Sequence, residues 1–73
     1  MQASALAIIT MRREIAERYE RVNRLWLCAR TAYRRLHEAP VLNLSAMRNA
    51  AQRLDQLTTG RATLLRDLKA LSD

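Results

Sequence analysis

Between Ile8 and Leu36 the apolar residues return every seven positions. One lane is Ile8, Ile15, Val22, Ala29 and Leu36, and a second, four residues on, is Arg12, Tyr19, Trp26 and Tyr33. Residues three and four apart project from the same side of an α-helix, so both lanes lie on one face. The opposite face is mostly charged. A second periodic stretch follows, with lanes Met47, Leu54, Arg61, Leu68 and Ala50, Leu57, Leu64, Leu71, flanked by Ala51 and Leu65. Its spacing holds for nearly four heptads, which predicts a coiled-coil-like seam. The pattern therefore predicts an all-α fold, an antiparallel two-helix hairpin. Helix one covers about residues 4–38, the turn 39–43 and helix two about 44–72, within a single domain over 1–73.

Local signals set these limits. Ser4 is a candidate N-cap for the first helix. Pro40 ends that helix and pushes Ala39 out of helical geometry. Asn43 or Ser45 can cap the second. So short a connection brings the helices back antiparallel, pairing residues whose numbers sum to roughly eighty-two. Leu57 then lies near Leu25 and Trp26, Leu71 near Met11, and nothing stands opposite residues before about Ile9. Two residues interrupt the second helix. Gly60, after Thr58 and Thr59, costs about 1 kcal/mol relative to alanine in a helix interior. Arg61 stands in a core lane. Either Gly60 breaks the helix and a third short one follows, or the helix continues and Arg61 extends toward Glu17 or Glu20. The lanes keep phase across Gly60, which favours continuation.

Composition narrows the function classes. A chain of 73 residues buries little surface, and small hairpins usually need a disulfide, a metal or association. Cys28 is the sole cysteine and His37 the sole histidine, so neither an internal disulfide nor a cysteine–histidine metal cluster is expected. Association remains. The net charge is +6, and 12 of the 13 basic residues are arginine, a balance that suits nucleic acid or an anionic membrane. Much of that charge has a structural account. Glu14–Arg18, Glu17–Arg21 and Glu20–Arg24 are i, i+4 pairs with the acid first, the orientation that supports a solvated helix face. Arg30, Arg34, Arg35 and His37 lie where cations offset the negative end of the helix dipole. The apolar run Ala3 to Met11 has no basic region before it and is too short to span a bilayer, so neither a signal peptide nor membrane insertion is expected. A single free cysteine fits a reducing cytosol.

No enzymatic chemistry is legible. There is no carboxylate pair on an apolar face, no Gly-rich phosphate loop, and Cys28 and His37 fall on different faces with no orienting acid. No cofactor or metal is expected. A small basic DNA- or RNA-binding regulator is the alternative reading, resting on charge and centred on Arg30, Arg34 and Arg35; without a recognition helix or RNA-binding signature, nucleic acid is the less favoured partner. An interaction protein uses more of the sequence. Its expected partner-binding residues are Tyr19, Trp26 and Tyr33 in one lane, Leu27 on the polar face, and Ile9 in the unmatched N-terminal stretch. Large aromatic residues are common interface anchors.

Two amphipathic helices, the turn His37-Glu38-Ala39-Pro40 and an Ala/Leu-rich second helix together resemble the small E-type needle-subunit cochaperones of bacterial type III secretion systems. The resemblance covers most of the chain. Where family members often carry a tyrosine shortly after the turn proline, this chain has Leu42 and Leu44. The resemblance implies a protein of the bacterial cytoplasm that pairs with a helical-repeat chaperone, and through it keeps a needle subunit monomeric before export. It leaves open homo-oligomer formation while the partner is absent.

Overall fold

The structure is a computed structural model and describes residues 4–72. Within them lie two α-helices, α1 over Ala5–Glu38 and α2 over Leu44–Ser72, packed along each other as a hairpin. Each boundary has a local cause. At the start of α1 the Ser4 hydroxyl accepts a hydrogen bond from the Ala7 amide at 3.1 Å, which satisfies one of the amides a helix start leaves without a partner. The helix stops at Ala39, whose extended backbone (φ −65°, ψ 143°) is the conformation that Pro40 imposes on its predecessor. At α2 it is Asn43, not Ser45, that caps: its Oδ1 accepts from the Ala46 amide at 3.0 Å.

The second helix runs unbroken through Gly60. No break occurs there, because the apolar lanes stay in phase and the packed face holds a residue whose own propensity is poor. Arg61 does not turn toward Glu17 or Glu20. Its Nε donates to Asn23 Oδ1 at 2.8 Å. The anchors this long side chain meets are Asn23 and the rings of Tyr19 and Trp26; Asn23 lies about one turn past Glu20 and nearly two past Glu17.

Three cross-helix hydrogen bonds give the register. Trp26 meets Thr58, Asn23 meets Arg61, and Arg12 Nη2 reaches the Leu71 carbonyl at 2.7 Å. These pairs sum to 83 or 84, so α2 sits one to two residues further along than simple folding about the turn suggests. Ser72 is then level with about Met11, and the first turns of α1 run past the last described residues of α2.

Burial follows the lanes. Ile8, Ile15, Tyr19, Val22, Trp26, Tyr33 and Leu36 of α1 are half-buried, as are Met47, Ala50, Leu54, Leu57, Arg61, Leu64, Leu68 and Leu71 of α2. Only Ala29 is buried among the described residues. Two helices form a single layer, so each covers one flank of the other's apolar face and leaves the rest open. The rod measures 59 × 16 × 15 Å, with a radius of gyration of 16.9 Å against about 11 Å for a compact chain of this length. Its accessible surface is 6014 Å², while a compact monomer of the same mass exposes about 4,600 Å².

Candidate functional site

The aromatic lane is built into a clasp between the helices. From α1, Tyr19 and Trp26 face the seam; from α2, Thr58 and Arg61 lean over them. The Trp26 indole Nε1 donates to Thr58 Oγ1 at 2.9 Å, and that hydroxyl donates in turn to the Leu54 carbonyl at 2.7 Å. The Arg61 guanidinium lies 4.5 Å from the Trp26 ring centroid and 5.8 Å from that of Tyr19. Arg30, one turn along α1, approaches Trp26 at 5.5 Å. An aromatic face draws a cation through its quadrupole, so two guanidiniums gather at Trp26 while its edge is fixed by a hydrogen bond. Further along, the Tyr33 and His37 rings meet edge to face at 4.4 Å.

The five residues expected to bind a partner do not form one patch. Tyr19, Trp26 and Tyr33 line one flank of the seam, each partly covered by α2 or its own helix. Ile9 is 51% exposed on the stretch of α1 beyond α2, about 25 Å from Trp26 along the helix. Leu27, 47% exposed, borders a shallow depression with Cys28, Thr31, Ala32 and Arg35, away from the aromatic lane. The basic cluster also divides. Arg30 and Arg34 line an open cleft with Tyr33, His37 and Leu54, whereas Arg35 lies beside Leu27. Cys28 is exposed, on the flank away from His37, so the two do not meet. Among the described residues no group of three His, Cys, Asp or Glu side chains could hold a metal ion, and no helix is long and apolar enough to cross a membrane.

The opposite flank of the seam carries a feature that the sequence reading passed over. Leu25, Cys28, Ala29, Ala32 and Ala50 form a shallow apolar trough, with Arg53 at its edge. Leu25 is 47% exposed there, and Met11, 48% exposed, lies in the same helical lane. The signal was present: Leu25, Cys28 and Ala32 follow one another at three and four residues. They were masked by the stronger lanes beside them, and small side chains carry little hydropathy. The trough and the aromatic clasp are the two sides of one half-covered face.

Comparison with protein-family models, curated proteins and solved structures finds no match. The fold and its surface define a class: a two-helix hairpin whose apolar face its own two helices cover only in part.

Proposed function

We propose that this chain is a non-enzymatic interaction subunit that completes its core on a helical protein partner. One observation carries the reading. A chain with the sequence pattern of a core-forming hairpin buries, among its described residues, only Ala29 and exposes about 1,400 Å² more than a compact monomer of its mass. A standard protein interface covers about 800 Å² on each partner, so the excess is of the size that a stable complex removes. Helices laid along both flanks of the seam would cover Leu25 and the alanines on one side and the outer edges of Tyr19, Trp26 and Tyr33 on the other.

In its specific form, the reading follows the resemblance. The chain acts as a cytoplasmic cochaperone that stabilises a helical-repeat chaperone, and the pair keeps a type III secretion needle subunit monomeric until export. Helical repeats present long apolar grooves, and a half-covered hairpin offers a complementary ridge. The residues that support this are the two long amphipathic helices, the short proline turn and the exposed apolar flanks.

The test is affinity purification from the native cell with identification of the co-eluting proteins, repeated with variants. Leu25→Ser and Ala32→Arg change the trough without touching the clasp, so circular dichroism should stay helical while the partner is lost. Arg66→Ala, on the outer face of α2, should retain it. A helical-repeat protein in the eluate supports the cochaperone form, and a helical partner of another kind supports the interaction subunit alone. Retention of the partner by folded trough variants and by a folded Trp26→Ala variant would remove the apolar face from the interface.

A further inference from the structure

We propose that the turn end of the hairpin docks on anionic lipid surfaces, with Val41, Leu42 and Leu44 entering the boundary between headgroups and acyl chains. The proposal concerns the tip of the rod, away from the trough, and does not rest on the cochaperone reading.

The turn is apolar where the fold does not require it. Val41 is 81% exposed, Leu42 59% and Leu44 70%, so three large aliphatic side chains stand in water at one narrow end of the molecule. Turn chemistry normally fills such positions with Gly, Asn, Asp or Ser. Pro40 and Asn43 supply the helix stop and the cap, and the side chains of Val41 and Leu42 stay largely in water beside them. The tip is convex and only about as wide as the hairpin itself, 16 × 15 Å in cross-section. A convex cluster of short aliphatics suits a deformable apolar medium.

Cations surround this tip on both flanks. Within about one turn of the helix ends, between positions 34 and 48, the chain carries Arg34, Arg35 and Arg48 against Glu38, a net charge of +2. Arg34 shares its cleft with Tyr33 and His37, and Arg35 lies on the other side of α1 with Leu27 and Cys28, so the positive charge encircles the helix. Arg34, Arg35 and Arg48 sit three or four residues from the helix ends, about 4.5–6 Å behind them at the helical rise, with the turn projecting beyond. An interfacial apolar group enters about 5–10 Å. When the aliphatics reach that depth, the three guanidiniums are level with the lipid phosphates, which arginine binds through paired donors. A nucleic acid could engage the arginines, but it would leave Val41, Leu42 and Leu44 in water. The juxtaposition of the two features favours lipid. This is a surface contact only; neither helix crosses the bilayer.

The experiment is flotation of the full chain with phosphatidylcholine vesicles and with three-to-one phosphatidylcholine–phosphatidylglycerol vesicles at physiological salt. The expected result is capture by the anionic vesicles alone. The double variant V41S/L42S, outside both apolar lanes, should lower partitioning by about tenfold or more. Each of Arg34→Gln, Arg35→Gln and Arg48→Gln should lower it by about fivefold. Circular dichroism checks that each variant remains helical. Absence of binding to the anionic vesicles overturns the proposal. So does binding that V41S/L42S leaves unchanged, which would mean charge alone, and so does capture of mixed-sequence RNA with no capture by vesicles.

Discussion

Arg61 occupies an apolar lane, half-buried, with its guanidinium 4.5 Å from the Trp26 ring and its Nε on Asn23. Arg61→Met keeps an unbranched stem and removes the charge. A cation over an aromatic ring is worth about 0.5–1 kcal/mol when exposed and about 2 when desolvated, and this half-buried pair falls near 1 kcal/mol. Loss of the hydrogen bond to Asn23 adds about 1 kcal/mol, and no more, because the amide oxygen left behind can take water. The methionine buries further apolar area and returns about 1 kcal/mol. The single substitution therefore changes stability by no more than about 1 kcal/mol, a net figure that conceals the interaction. A double-mutant cycle isolates it. Trp26→Leu removes the ring and keeps an apolar side chain; combined with Arg61→Met it should show a coupling of about 1 kcal/mol. The assay is urea unfolding of the four proteins followed by far-ultraviolet circular dichroism, analysed as two-state. Arg30 is a built-in control: it lies 5.5 Å from the same ring and is exposed, so its coupling to Trp26 should be about half as large. A coupling for Arg61 below about 0.3 kcal/mol, the ordinary error of additivity, would refute the clasp as a source of stability. A larger value for Arg30 than for Arg61 would refute the geometric ranking.

Gly60→Ala should stabilise the hairpin by about 0.5–1 kcal/mol, since a Cβ at this helix-interior position meets nothing within 4 Å; a lower urea midpoint would refute open space at this site. Asn43→Ala removes the acceptor for the Ala46 amide and should cost about 1 kcal/mol, while Ser45→Ala, which caps nothing, should leave the midpoint where it is. If the open apolar face drives self-association, the thermal midpoint will rise with protein concentration, and trough variants such as Leu25→Ser will flatten that dependence.

The architecture was legible because the strongest signals were also the decisive ones. Seven-residue recurrence named the lanes, and most of the half-buried residues fall on them from Ile8 to Leu36 and from Met47 to Leu71, with Ala16, Asn23 and Gly60 beside them. Continuity through Gly60 followed from phase. The register was less accessible, because the length of a turn fixes it only to within a residue or two. The cross-helix bonds from Arg12, Asn23 and Trp26 shift it. Arg61 shows the same limit at the level of one side chain. Charge pairing suggested a glutamate, yet the groups across the seam are an amide and two aromatic rings, and distance decides. Size and aromaticity mark Tyr19, Trp26 and Tyr33 as expected partner contacts, and exposure on an unmatched or polar stretch marks Ile9 and Leu27. The small residues of the trough carry neither signal, since what they contribute is the space they leave. Nor does hydropathy alone separate Val41, Leu42 and Leu44 from the lanes. Only their position at the end of the rod shows that neither helix covers them.

The rod also has a direction. Among the described residues the tertiary contacts run between α1 and α2 in antiparallel register, so the rungs nearest the turn close the shortest loops and the Arg12–Leu71 hydrogen bond a far longer one. Such a molecule should form like a zipper, quickly and from the Pro40 end. It should also open from the other. Amide exchange should therefore grade along the long axis, slowest toward the turn, around Tyr33 and Ala50, and fastest where Arg12 holds the Leu71 carbonyl. Fraying at that end frees Leu68 and Leu71 together with Ile8 and Ile15. A protein that gripped the open end would capture states the hairpin already visits, and would raise the stability of every rung between its grip and the turn.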